Sequence, residues 1–274
     1  GQISTPNGIP VENNGTFTLL SGTIDANNSS NAYSLRNRVT TTSLEENQAV
    51  ICNIEGGTIS SDVWGVVFFG AGMAGQTDGN NSALNTGVTG SILNNMMQVN
   101  ISGNAQISGL QALATAANNG IYAGFTVNIS GNAEITGINE IEGCAMYLPG
   151  YGVTNISGGT ISGGQGIRIS AGELNITGGT IEGTTVSDGK DLVAGGSTGT
   201  QGAIVVGKAS GGYVGNIDIN ISGDAVVTNT AKGEGTKPAI VVSDKNMSDN
   251  SMGYDDLAIT VTVDGTEGAA INGD

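Results

Sequence analysis

Asp244, Asp249, Asp255 and Asp256, interleaved with Asn246 and Asn250, form the densest group of oxygen ligands in the chain. Calcium takes about six to eight oxygens, and a loop with four aspartates can supply several of them. The spacing is not that of an EF-hand loop, so the competing expectation is a solvated polar loop. Asp188 and Asp191 beside Lys190 form a lesser group of the same kind. Histidine is absent altogether. That removes Ser-His-Asp and Cys-His catalysis, imidazole acid–base chemistry and ordinary zinc sites, for which two distant cysteines cannot substitute.

A second group of candidates is aromatic. Aligning Val67-Phe68-Phe69, Ile121-Tyr122-Ala123, Met146-Tyr147-Leu148, Ile167-Arg168-Ile169, Ile204-Val205-Val206 and Ile240-Val241-Val242 by alternation puts Phe68, Tyr122, Tyr147 and Arg168 in one outward row, continued by Val205 and Val241. Aromatic residues make up only 4% of the chain, so three in one row are not dictated by composition. Aromatic faces suit the apolar faces of sugars, and rows about 4.8 Å apart nearly match the unit length of an extended glycan. The row therefore predicts a carbohydrate platform made by Phe68, Tyr122, Tyr147 and Arg168. The competing expectation is that the insertion at 71–98, with Met96 and Met97, folds back over the row as a second small core.

The elements that position these residues follow from a repeat. Asn-Ile-Ser/Thr-Gly begins at Asn100, Asn128, Asn155, Asn175 and Asn220, with degenerate copies around Asn53, Thr18 and Thr262. Self-similarity of this extent predicts a solenoid. Twenty residues separate Ile156 from Ile176, and they hold three short alternating runs bounded by Gly158-Gly159, Gly163-Gly164 and Ala171-Gly172. Short alternating runs punctuated by glycine are strands and turns. The expected fold is all-β, a right-handed parallel β-helix of about eight rungs with three strands each, in a single domain over 1–274. Insertions are expected near 71–98 and 183–201, with end caps at 1–16 and 265–274.

Alternation turns Ile101, Ile129, Ile156, Ile176 and Ile221 inward and the preceding asparagines outward. The resulting ladder of Thr18, Asn53, Asn100, Asn128, Asn155, Asn175, Asn220 and Thr262 can hydrogen-bond along the axis as amide ladders do. The Asn-x-Ser/Thr sequons are by-products of that ladder, because glycans on every rung would collide. Cys52 and Cys144 fall more than one rung apart and are expected as two buried thiols, not a disulfide.

The motifs Asn155 to Ile161 and Asn175 to Ile181, both Asn-Ile-Ser/Thr-Gly-Gly-Thr-Ile, resemble repeats of the pectate-lyase-like right-handed parallel β-helix superfamily. Within it they are similar to those of surface proteins of anaerobic and gut bacteria, some described as carbohydrate-binding domains or adhesins. The likeness covers about residues 17 to 264 and speaks to fold more than to function. Of the motifs of the polygalacturonase-like branch, Asn-Thr-Asp and Gly-His-Gly are missing, and Asp-Asp occurs only as Asp255-Asp256. The pectate-lyase-like branch implies calcium held by carboxylates and an Arg or Lys base. Residues 39 to 167 contain neither Lys nor Arg, which leaves Arg168 as the one central candidate, with no aspartate pair on the neighbouring strands.

Eight Lys and Arg against 24 Asp and Glu give a net charge of -16, which repels nucleic-acid phosphates and anionic membranes. No apolar run approaches the roughly 20 residues of a membrane span. Low Lys and Cys with abundant Gly, Asn, Ser and Thr, and the lack of an initiating Met, fit a processed, exported bacterial protein. The expectation is thus a non-catalytic extracellular or cell-surface module that binds a neutral polysaccharide or host glycan or acts in adhesion, requiring no cofactor unless calcium binds at the aspartates. The alternatives are a rigid spacer of a larger surface protein and a calcium-dependent polysaccharide lyase.

Overall fold

A computed structural model describes residues 1–5, 8–26, 33–70, 94–115, 124–138, 143–187, 201–207, 216–243, 258–266 and 268–273. Among them the chain is all-β, apart from a one-turn helix α1 (Thr41–Glu45) and a 3-10 turn at Asn94–Met96. In chain order the strands begin with β1 (Gln2–Ser4), β2 (Val11–Asn13), β3 (Thr16–Leu19), β4 (Thr23–Ala26) and β5 (Tyr33–Arg38). There follow β6 (Val50–Ile54), β7 (Thr58–Ser61), β8 (Trp64–Phe69), β9 (Met97–Ile101), β10 (Gln106–Gly109) and β11 (Gln111–Thr115). Next come β12 (Thr126–Ile129), β13 (Glu134–Gly137), β14 (Cys144–Leu148), β15 (Val153–Gly163), β16 (Gln165–Ile169) and β17 (Gly172–Gly183). The last are β18 (Ile204–Gly207), β19 (Ile217–Ile221), β20 (Val226–Asn229), β21 (Ile240–Ser243), β22 (Ile259–Val263) and β23 (Ala270–Asn272).

All these strands pair in parallel, each with the equivalent strand of an adjacent repeat and never with its neighbour in sequence. Three stacks result. The first carries the Asn-Ile motif and runs β3, β6, β9, β12, the start of β15, the start of β17, β19, β22. The second runs β1, β4, β7, β10, β13, the ends of β15 and β17, β20, β23. The third forms a separate sheet, β2, β5, β8, β11, β14, β16, β18, β21. β15 and β17 run continuously through the first two stacks, and their mutual register slips at Ser157, where the backbone turns the corner.

The core lies between the stacks. Ile101, Ile129, Ile156, Ile176 and Ile221 are all buried and stand in register, as do Ile59, Ile107, Ile135, Ile161 and Ile181 of the second stack. Leu35, Val66, Leu113, Met146, Ile167 and Ile204 close the third side. Turn glycines let the rungs approach. Gly103 has φ +61 and would drive a Cβ into the carbonyl oxygen of Glu55 on the rung below, so neither an L side chain's backbone nor its volume fits there.

The Asn ladder forms as the motif predicts. Asn100 Nδ2 donates to Asn53 Oδ1 at 2.9 Å, Asn128 to Asn100 at 2.9 Å, Asn155 to Asn128 at 3.0 Å, Asn175 to Asn155 at 3.1 Å and Asn220 to Asn175 at 3.0 Å. Asn53 donates to Thr18 Oγ1 at 3.4 Å. Every donor points toward the N-terminal rung, so the amide dipoles align and polarise one another.

Within the ranges expected as end caps, some residues form strands. Gln2–Ser4, Val11–Asn13 and Ala270–Asn272 are strands, each paired on one side only among the described residues. Cys52 and Cys144 are free and buried, as expected. Burial pushes both thiols up to about 12, opposed at Cys52 by a hydrogen bond with Asn37 and at Cys144 chiefly by the charge of Arg168.

Candidate functional site

The third stack governs the aromatic candidates, and its strands do not alternate from their first residue. A Cβ on Gly65 would stand 3.1 Å from Ile107 Cγ2 in the core, yet Val66 also points inward. Two consecutive inward residues at the corner shift the pattern by one. Phe68 therefore faces the core, fully buried, with its ring 4.9 Å from that of Phe125 at 70°. This corrects the expectation of an outward Phe68.

The outward row is Arg36, Val67, Ala114, Tyr147, Arg168, Val205 and Val241. Tyr147 and Arg168 are neighbours in it, as the alignment predicted. Tyr122 lies outside the described residues, and the rung between Phe68 and Tyr147 is filled by β11, so Ala114 takes the position assigned to it. Nor does the row form an open platform here: Val67, Ala114, Tyr147, Arg168 and Val205 are all buried. Arg168 Cζ stands 5.6 Å from the centroid of the Tyr147 ring, a cation–π geometry. Tyr147 also packs with Ala114 and Cys144 in a small cluster of its own, and the Cys144 thiol donates to Met146 O at 3.0 Å. Met96 and Met97 do not belong to that cluster; both are buried in the main core.

A different aromatic group reaches the surface. Tyr33 and Trp64, in register at the starts of β5 and β8, are half-buried with ring centroids 5.0 Å apart and planes at 36°. Phe69, at the end of β8 and also half-buried, meets Tyr33 edge-on at 6.3 Å. Trp64 Nε1 donates to Gln111 Oε1 at 2.9 Å, which fixes the indole, and the ring packs on one side against the Tyr147 cluster. Beside them, Arg36 Nη2 pairs with Glu12 Oε2 at 2.6 Å, with 24% and 39% of the two side chains exposed. The result is a half-buried aromatic group with a hydrogen bond and an ion pair on the same strands. Alternation missed Tyr33 and Trp64 because they precede the corner; the signal available was that Trp64 is the single tryptophan.

The aspartates Asp244, Asp249, Asp255 and Asp256 fall outside the described residues, as do Asp188 and Asp191. Among the described residues no three carboxylate or thiol side chains converge as a metal site would require. No helix among them is long and apolar enough to cross a membrane. Comparisons with protein-family models, with curated proteins and with solved structures return no match.

Proposed function

We propose that the chain is a single right-handed parallel β-helix of about eight rungs, similar in kind to the pectate-lyase-like group, and that it serves as an exported, non-catalytic bacterial surface module binding a neutral glycan. Support for the winding comes from three parallel stacks joined in cyclic order, since parallel crossovers are almost always right-handed. The observation that carries the glycan reading is the half-buried aromatic group of Tyr33, Trp64 and Phe69, since ring surface left open to solvent suits the apolar faces of sugars. Its flanks offer Gln111, Arg36 and Glu12 to hydroxyl groups. The charge of -16 disfavours polyanionic chains. A lyase base would have to meet substrate, and Arg168 is buried against Tyr147, which gives the lyase reading no support. The spacer reading draws on the uninterrupted amide ladder, which stiffens the axis whether or not a ligand binds.

Trp64 supplies the test. As the single tryptophan, it makes intrinsic fluorescence a direct report on this aromatic group. A neutral-glycan array, run with calcium and with chelator, selects ligands for titration; binding should shift Trp64 emission with a Kd of about micromolar to millimolar, because shallow stacking recovers little after ordering costs. Tyr33→Ala should weaken that binding, with a small fall in melting temperature from the lost ring contacts with Trp64 and Phe69. Glycan binding that leaves Trp64 emission unmoved, or is indifferent to Tyr33→Ala, refutes the site.

A further inference from the structure

The row that carries the open rings has two unlike ends. Tyr33, Trp64 and Gln111 stand in register at the starts of β5, β8 and β11, and Cys144 and Gln165 continue the row on β14 and β16. The first three are half-buried and the last two buried, so the open part of the row ends at Gln111. From Tyr33 to Gln111 it covers two rung spacings, about 10 Å.

The amide of Gln111 has a fixed orientation. An indole N–H only donates, so the bond of 2.9 Å from Trp64 Nε1 requires the carbonyl oxygen of Gln111 on that side. Nε2 is then left as a pair of donors an amide's width from the indole, and it has no acceptor among the described residues. A ligand seated on the rings takes water from these donors. Stripping a donor of water without replacing its partner costs binding energy, so the ligand that suits this place brings an acceptor to it.

We infer that the sugar recognised at the end of the row is N-acetylated, its acetamido carbonyl accepting from Gln111 Nε2 while its methyl group covers open ring surface of Trp64. The inference rests on the glycan reading and narrows it to a ligand class. A sugar hydroxyl can also accept from Nε2, but it brings no apolar carbon for the ring beside it. The acetamido carbon bears the acceptor oxygen and the methyl group together, which is what a donor set against an indole calls for. The group is neutral, so the charge of -16 does not repel it. Because the open row stops at Gln111, the acetamido sugar is the last unit along it.

Two neutral disaccharides with the same backbone test this: N,N′-diacetylchitobiose carries acetamido groups where cellobiose carries hydroxyls. Each is titrated into the full chain while Trp64 emission is followed. Diacetylchitobiose should bind about tenfold more tightly, the effect of one neutral hydrogen bond and part of a buried methyl group. Gln111→Glu keeps an oxygen for Trp64 Nε1 and removes the donor, so it should bring the two affinities together chiefly by weakening diacetylchitobiose. Equal affinities in the unmodified chain, each with a Trp64 shift, overturn the inference and leave the glycan reading standing. No shift with either disaccharide also overturns it, and the glycan reading falls with it only if no neutral glycan of the array binds. A preference that survives Gln111→Glu overturns it as well, since another group then reads the acetamido. The first two outcomes need only the unmodified chain, even if the variant folds poorly.

Discussion

Asn155 sits in the middle of the amide ladder, donating to Asn128 at 3.0 Å and accepting from Asn175 at 3.1 Å. Asn155→Ala removes both bonds and leaves a carbonyl oxygen and an amide of its neighbours without their ladder partners. At about 1 kcal/mol for each part-buried bond, the loss should be about 2 kcal/mol. Asn220 makes a single bond within the Asn ladder, so Asn220→Ala should cost about 1 kcal/mol or less, its side chain being exposed to water that can replace the partner. Asn128 and Asn155 share a bond. Removing both side chains deletes three ladder bonds, while the two single variants together delete four, because the shared one is counted twice. The double variant should therefore lose about 3 kcal/mol where additivity predicts about 4, a coupling of about 1 kcal/mol. Urea unfolding followed by far-UV circular dichroism gives all four free energies. Strict additivity, or equal losses at Asn155 and Asn220, would mean the ladder bonds exchange with water at no cost and would refute the reasoning.

Ile156→Asp puts a carboxylate between two intact rungs at a site 1% exposed and should cost at least about 4 kcal/mol, read as a drop in urea midpoint. Gly103→Ala forces an L residue to φ +61 against the Glu55 carbonyl and should cost about 2 kcal/mol or more, whereas Gly15→Ala, with open space around it and no positive φ, should cost less in the same assay. The thiols predict a pH dependence. Their folded values of about 12 lie above the ordinary 9.0, so their contribution is fully present below pH 9 and drains away between pH 9 and 12, by about 1.4 kcal/mol per pH unit for each thiol as the unfolded chain ionises. A Cys52→Ala, Cys144→Ala variant should show a flatter fall of melting temperature over that window; an identical slope would sink the assignment.

How far the sequence can be read depends on which stack a residue belongs to. In the first stack each rung repeats Asn-Ile-Ser/Thr-Gly with strict alternation, so the inward isoleucines, the outward amides and the register between them are all legible. The third stack is different. Its corner turns two successive residues inward, Gly65 with Val66 and Ala112 with Leu113, and the run Val66-Val67-Phe68-Phe69 that follows is apolar throughout, so alternation has no polar residue to set its phase and sends Phe68 to the wrong face. β11, Gln-Ala-Leu-Ala-Thr, carries the weak strand propensity of alanine and is easily passed over for the apolar Ile121-Tyr122-Ala123. Small residues are what the corner requires, since a Cβ on Gly65 would stand 2.6 Å from Ala112 O. Tyr33 and Trp64 escape notice for the same reason: each lies just before the corner, where periodicity says nothing about direction.

The hydrogen bonds of the three stacks and of the Asn ladder all run along the stacking direction, and this has a mechanical consequence. Compression loads every rung together, but tension applied between the two ends loads the bonds in series and peels the outermost rung first. Releasing the 20 residues between Asn155 and Asn175 would free about 70 Å of extended chain in exchange for one strand spacing of about 4.8 Å. Stacks bonded this way, pulled along that direction, pay out slack one repeat at a time while the repeats behind remain folded.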